Sequence, residues 1–307
     1  MWGLGLGDAF GKPVEFANWQ SIQSEYGGQG IQDFPDNAIW TDDTEMTFAV
    51  VRALVKDHTQ EPEIVARSIA DEFIVWQDNP GFSPGNTCLM GTYHYEQTKD
   101  WKTSGVKDSK GCGSAMRVAP IGLFYSEEGR LAEVAIYSSV ITHAHPTALA
   151  AALVAAYLVR LAVDQIPMEE WLSRCKFVLE KQSQIEKKGK TEMITALDKV
   201  ARALETENDV QAISGIGAGW IGEEAVAMAL FCCLRYPAAS QFKNAIICAV
   251  NHSGDSDSVG CIAGGILGAY HGWEKIAGVV EPWVAEMEEK NRMEDYITQI
   301  CEILIED

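Results

Sequence analysis

Apolar residues along this chain recur at intervals of three and four, and no run alternates at period two for long enough to require a sheet. From Glu45 onward, Met46, Ala49, Val50, Ala53 and Leu54 fall on one helical face. Val65, Ile69, Phe73 and Trp76 make the next stripe, which Asn79-Pro80-Gly81 stops. Further helical patterns run at 130–142, 146–163, 168–187, 191–205, 222–234, 239–250, 258–270 and 292–305, the last with Met293, Ile297, Ile300 and Leu304 on its apolar side. Two stretches lack a sustained period. Residues 17–40 are rich in Gly, Asn, Asp and Gln and read as a loop-rich lead-in to Trp40. Residues 79–117, punctuated by Gly85, Gly91, Gly105, Gly111 and Gly113, read as a long irregular segment of the kind that carries function or moves. With no repeat at a fixed period, the expectation is an all-α fold over residues 1–307, a compact single-domain orthogonal multi-helix bundle.

Glycine spacing adds detail. Gly3, Gly7 and Gly11 share one face of an opening helix, and Gly260, Gly264 and Gly268 repeat the spacing near the other end of the chain, which places that second helix at the centre among close neighbours. The glycines at 3, 5 and 7 match a dinucleotide fingerprint only superficially, because no strand precedes them and no βαβ pattern follows.

Two acidic knots interrupt the apolar pattern. In Asn251–Gly260, Asp255 and Asp257 stand among three serines between apolar segments 245–250 and 259–270; Thr41-Asp42-Asp43-Thr44 precedes the helix that starts near Glu45. One Asp suffices to cap a helix, at about 1 kcal/mol, so a pair in each knot exceeds that need. Asp42, Asp43, Asp255 and Asp257, with the hydroxyls of Thr41 and Ser258, form an all-oxygen set that hard Mg²⁺ or Mn²⁺ prefers, whereas zinc recruits His or Cys. If the knots meet, four carboxylates suit two such ions about 3.5–4 Å apart. The expected fold therefore includes a central binuclear metal cleft.

Composition narrows the partners. The 307 residues are 47% hydrophobic and 22% charged, as for a globular protein, with a formal charge of −20 and a pI near 4.7. That balance argues against binding a nucleic-acid backbone, which rests on Lys and Arg, and suits divalent cations. The N-terminus lacks a basic segment leading into an apolar run, and the apolar stretch 259–270 is too short to span a bilayer; we expect a cytoplasmic monomer without a membrane. Eight cysteines, at 88, 112, 175, 232, 233, 248, 261 and 301, form no C-x-x-C pair and read as reduced thiols.

Five motifs then stand in one order: 7-GDAFGKPVEF-16, 40-WTDDT-44, 111-GCGSAMR-117, 142-THAHP-146 and 251-NHSGDSDS-258. Together they resemble the ADP-ribosylglycohydrolase family, over residues 3 to 272. The resemblance implies an all-α domain with two Mg²⁺ or Mn²⁺ ions in a central cleft, acting on ADP-ribose linked to a protein side chain or another acceptor. It implies metal ligation by Thr41, Asp42, Asp43, Asp255, Asp257 and Ser258, and an acid or base role for Glu15, with Asp42 and Asp257 nearest the chemistry. Which carboxylate handles which proton stays open. Gly111, Cys112, Gly113 and Ser114 would offer backbone N–H groups to the pyrophosphate.

Other residues carry two readings each. Cys112 stands where many relatives have Asn; with no base in evidence, it reads as lining the ribose pocket rather than as a nucleophile. His143 and His145 read as contacting substrate or orienting the next helix, since an oxygen site needs no His. His252 reads as bonding a ligand carboxylate. Asp8 either braces a loop or meets substrate, and Trp220 either stacks on the ligand or belongs to the core. Arg117 is expected to pair with a buried carboxylate, and the acidic segment from Glu281 to be a solvated helical face. The resulting function is a metal-dependent hydrolase that releases ADP-ribose, most simply from protein arginine. The alternatives are hydrolysis of O-linked or polymeric ADP-ribose and a non-catalytic ADP-ribose-binding relative. Retention of six mutually crowded oxygen ligands argues against the last.

Overall fold

In the computed structural model, which describes residues 1–306, the stripes become α-helices: α1 (Trp2–Gly11), α2 (Trp19–Tyr26), α3 (Asp42–Asp57), α4 (Pro62–Gln77), α5 (Asn86–Thr98), α6 (Trp101–Ser104), α7 (Ala119–Phe124), α8 (Glu128–Val140), α9 (Pro146–Val163), α10 (Trp171–Lys181), α11 (Lys187–Ala203), α12 (Asp209–Ile216), α13 (Gly222–Arg235), α14 (Phe242–Val250), α15 (Ser256–His271), α16 (Trp273–Glu286) and α17 (Lys290–Glu306). Among the described residues there is no strand, only three isolated bridges, Ala38 to Met287, Val106 to His143 and Gly111 to Ile221.

The glycine faces of α1 and α15 lie against each other, backbone on backbone. A Cβ on Gly7 would stand 2.0 Å from the carbonyl oxygen of Gly260, and one on Gly3 2.2 Å from that of Gly264. At the end of α1, a Cβ on Gly11 would meet Asp257 Cα at 2.4 Å. Gly268 is looser, with its nearest neighbour at 3.6 Å. Every residue of α1 is buried. The other central element is α9, whose faces are covered by α7, α8, α10, α11, α13 and α15. By length and composition α9 is apolar enough to cross a membrane, more so than segment 259–270, yet 83% of it is buried inside the protein, as a core helix is.

Where helices were not expected, the apolar stripe is missing. In α2 only Ile22 is buried, and the helix is started by Asn18 Oδ1, which accepts from Ser21 N at 2.9 Å. α5 turns small and polar residues inward, Cys88, Gly91 and Thr92 beside Tyr95, because its Gly91 lies on the backbone of Thr142. The irregular stretch 79–117 thus holds two helices. The single pattern at 168–187 divides at 182–186 into α10 and the start of α11. α12 is eight residues long, and α16 carries Pro282 inside it, so neither announces itself by period. The acidic C-terminal segment from Glu281 is only partly solvated: Trp283, Met287, Met293 and Ile300 are buried, and Arg292 pairs with Glu45 at 2.5 Å.

The α1–α15 contact makes a direct prediction. Gly7→Ala should destabilise the protein by about 3 kcal/mol, the upper end of overpacking costs. Gly278→Ala, in an exposed turn of α16 with nothing within 4 Å of the new Cβ, should gain about 0.5–1 kcal/mol. Urea midpoints of the two variants test both signs.

Candidate active site

Helices α3, α5, α13 and α15 all begin around one cleft of about 160 Å³. Its lining includes Glu15, Asp42, Asp43, Asp255 and Asp257, together with Ser258, and contains no Lys or Arg. Helix N-termini carry partial positive charge, which favours carboxylates there. The two acidic knots do meet: Asp42 and Asp43 line the same cleft as Asp255, Asp257 and Ser258.

What holds Asp42 and Asp43 in the cleft is Asp8. Buried in α1, its carboxylate accepts from Thr41 N at 2.9 Å, Thr41 Oγ1 at 2.9 Å, Thr44 N at 3.0 Å and Thr44 Oγ1 at 2.6 Å. This carboxylate from another helix caps α3, so the acids of α3 are spared that duty and Asp8 braces the loop. Asp42 Oδ2 accepts from Gly85 N at 3.1 Å, while Asp43 Oδ2 is buried with no hydrogen-bond partner. At α15, Asp255 occupies the capping position without making a side-chain cap, and Asp257 Oδ1 accepts from Ser258 N at 3.0 Å. Simple helix capping therefore does not account for Asp42, Asp43 or Asp255.

Burial and crowding act on these groups together. Desolvation first, and neighbouring carboxylates after it, hold Asp42, Asp43 and Asp257 well above the usual carboxylate range. Desolvation raises Glu15 to about 7 against the opposing hydrogen bond from Ser83, and raises Asp8 to about 6 against its four donors. Glu15 Oε2 accepts from Ser83 Oγ at 2.8 Å, and Phe16 follows with φ 62, its N–H bonded to Gly254 O at 2.8 Å, which ties Glu15 to the second knot.

The remaining residues of interest divide. Gly111, Cys112, Gly113, His143 and Trp220 line the cleft; Thr41 and Ser114 do not. Thr41 stands behind the start of α3 with its hydroxyl on Asp8, and Ser114 Oγ is buried without a partner. Cys112 Sγ lies 2.9 Å from Asp255 Oδ2, and burial pushes its thiol up, which suits a pocket wall rather than a nucleophile. Trp220 is half-exposed and stacks on Phe16 with ring centroids 4.9 Å apart, so it belongs to the cleft mouth and not to the core. His145 caps α9, accepting from Thr147 N at 3.2 Å. His252 does not reach a carboxylate; its Nδ1 lies 3.2 Å from Ser253 O. Arg117 has no carboxylate partner either. It is fully buried, bonded to Ser138 O and Thr142 Oγ1 at 2.8 Å each, and stacked over Phe73 at 4.3 Å. The lining also includes Phe16 and Met116, which lie inside the family motifs without an assigned role, and Ser83, Asn86, Thr87 and Cys88, to which only the Gly-rich character of 79–117 points.

A family model for ADP-ribosylglycohydrolase matches residues 1–307. The chain belongs to the ADP-ribosylglycohydrolase family. Among similar relatives are the ADP-ribosyl-[dinitrogen reductase] glycohydrolase of Rhodospirillum rubrum, 26% identical over 94% of this chain and 88% of that protein, and ADP-ribosylhydrolase ARH3 of Mus musculus, 27% identical over 77% and 70%. A solved ADP-ribosylglycohydrolase-related protein complex superposes with a TM-score of 0.73 at 23% identity, covering 97% of this chain and 94% of its own, and supports the fold. As an ADP-ribosylglycohydrolase, the protein is a hydrolase of glycosidic bonds.

Raised carboxyl pKa values have a sign. The folded ADP-ribosylglycohydrolase holds protons that the unfolded chain releases near pH 4. The stability this contributes is complete below that pH and is lost as pH rises through about 6, for Asp8, and about 7, for Glu15, with Asp42, Asp43 and Asp257 adding in the same direction. With a chelator present, the melting temperature should fall from pH 5 to pH 8; a rise would contradict the assigned shifts.

Proposed function

We propose that this protein is a divalent-metal-dependent ADP-ribosyl hydrolase acting on ADP-ribosylated arginine of a protein or a small arginine-like acceptor. The observation that carries the reading is a cleft lined by five carboxylates, Glu15, Asp42, Asp43, Asp255 and Asp257, and by no basic side chain. Such a cleft is costly unless cations share it.

The residues fit hard divalent ions by their chemistry. The donors are all oxygen, and Asp43 Oδ2 is buried without a partner. Among the described residues, no three acidic, His or Cys side chains are gathered into a ready-made cation cage. Asp42 and Asp43 on one side, and Asp255, Asp257 and Ser258 on the other, would hold two Mg²⁺ or Mn²⁺ ions, with Thr41 behind them. Bound there, such ions supply charge neutralisation and orientation of the ribose hydroxyls next to the scissile bond.

The chain's own groups supply the rest. Cleavage leaves an oxocarbenium-like sugar, which Asp42 and Asp257 stabilise electrostatically. Glu15, brought to about 7 by burial, exchanges a proton near neutral pH and is the group suited to act as acid or base, aimed by Ser83. The cleft's volume suits a sugar ring and falls short of the roughly 300 Å³ that larger ligands occupy, so the remaining nucleotide extends along the Gly111–Ser114 turn. Cys112 N–H is taken by Trp220 O at 3.2 Å and Gly111 N–H by Ser109 Oγ at 3.5 Å, which among the turn's cleft-lining residues leaves Gly113 to donate to the pyrophosphate. Arginine is favoured as acceptor because its departing planar cation suits an acidic cleft whose mouth carries the Phe16–Trp220 stack.

The test is release of free ADP-ribose from arginine-, serine- and polymer-linked ADP-ribose, each with Mg²⁺, Mn²⁺ or chelator. Release from the arginine conjugate, lost with chelator, is expected. Release confined to the serine or polymer conjugate would move the acceptor assignment, and none at all with metal would leave only binding. Asp257→Asn should lower turnover by at least about 10²-fold while keeping the helical circular dichroism. Its melting temperature in chelator should match or exceed the parent's, since the cost of burying an ionisable carboxyl among other carboxylates is gone.

A further inference from the structure

A fully buried guanidinium without a carboxylate partner needs a reason. Arg117 is such a group, and its Nε has no hydrogen-bond partner at all. Its NH2 nitrogen donates to Thr142 Oγ1 at 2.8 Å, and that same hydroxyl lies 2.8 Å from His143 Nδ1. Guanidinium has only donors, so Thr142 Oγ1 accepts from it. That leaves the hydroxyl's own proton available to its other neighbour, Nδ1. The backbone of His143 is fixed as well, by His143 N to Ser139 O at 2.7 Å and Ser139 Oγ to His143 O at 3.1 Å.

The far edge of the ring faces the cleft. A Cβ on Gly111 would stand 3.3 Å from His143 Nε2, and one on Gly113 3.1 Å from His143 Cε1. Glycine at both positions keeps this edge open between the two residues of the Gly-x-Gly turn. No lysine or arginine lines the cleft to receive phosphate oxygens.

We propose that Arg117, acting through Thr142, is a positioning residue that fixes the His143 proton on Nε2, so that the imidazole presents a permanent N–H donor to an anionic oxygen of the ligand held by the Gly111–Ser114 turn. The ligand half rests on the ADP-ribose reading; the proton placement does not. Burial, and after it the charge of Arg117, push His143 down to about 3, so the ring carries one proton at neutral pH and its position on Nδ1 or Nε2 decides what the cleft meets. The device supplies donor character without adding a cation beside the acidic cluster, where a lysine would compete with divalent ions.

The experiment is ¹⁵N NMR of imidazole-labelled protein, with the His143 signals assigned by their loss in His143→Gln, alongside calorimetric titration of ADP-ribose. In the parent, Nε2 should be protonated and Nδ1 bare. Thr142→Val, which keeps the side-chain volume and removes the relay, should mix the two tautomers and weaken ADP-ribose about ten-fold, as for a lost hydrogen bond to a charged group. Thr142→Ser should restore both readouts. A parent carrying its proton on Nδ1, or a Thr142→Val protein with an unchanged tautomer, overturns the proposal. A changed tautomer with unchanged ADP-ribose affinity overturns its ligand-facing half. If the parent does not bind ADP-ribose at all, the nitrogen spectra still decide the proton's position, and it is the substrate reading that fails.

Discussion

The structure depends on the close approach of α1 to α15, which only glycine permits. Gly3 and Gly7 meet the carbonyls of Gly264 and Gly260, and Gly11 lies on Asp257 Cα. From this single contact both halves of the site are positioned. Asp8, on α1, takes the start of α3 by four donors, while the end of α1 rests on the start of α15. One ten-residue helix therefore joins acidic knots more than two hundred residues apart. Small misplacements of either knot would matter, because crowded carboxylates interact steeply with distance at low dielectric.

Capping by Asp8 also explains why the acids of α3 are available for chemistry. A helix normally satisfies its first amides with its own side chains. Here Thr41 Oγ1 accepts from Asp43 N at 3.4 Å, a carboxylate from another helix takes Thr44 N, and Asp42 and Asp43 turn to the cleft. The cost is a cluster of acids whose charges oppose one another in a buried place, visible in the raised values of Asp42, Asp43 and Asp257. Stability is thereby given up locally for a site that invites cations, and the surrounding apolar helices, α9 above all, hold the arrangement together.

The legible part of the fold was the part with period. The stripes over 65–76, 146–163 and 222–234 became α4, α9 and α13, because burying one face of a helix against a core writes its repeat into the residues. α5 was illegible for the opposite reason: its inward face is Cys88, Gly91 and Thr92, chosen to fit the backbone of Thr142 and not to be apolar. The wall it supplies to the cleft, from Ser83 to Cys88, went unseen with it. Arg117 misled in another way. A buried arginine ordinarily meets an acid, and nothing local shows that a serine carbonyl, a threonine hydroxyl and Phe73 receive it instead.

By itself the sequence determined the helical class, the family and the two acidic knots, because these rest on periodicity and on residue types clustered within a few positions. It also determined that glycine at 3, 7, 260 and 264 would bring helices close. Only the tertiary structure decided that those two glycine faces meet each other, that Asp8 caps a helix it does not belong to, and that Thr41 stands behind the cleft its neighbours line. It alone decided that His143 is backed by Arg117. Each of these is a contact between segments distant along the chain, and such contacts are selected by which surfaces fit in three dimensions, a property no local spacing encodes.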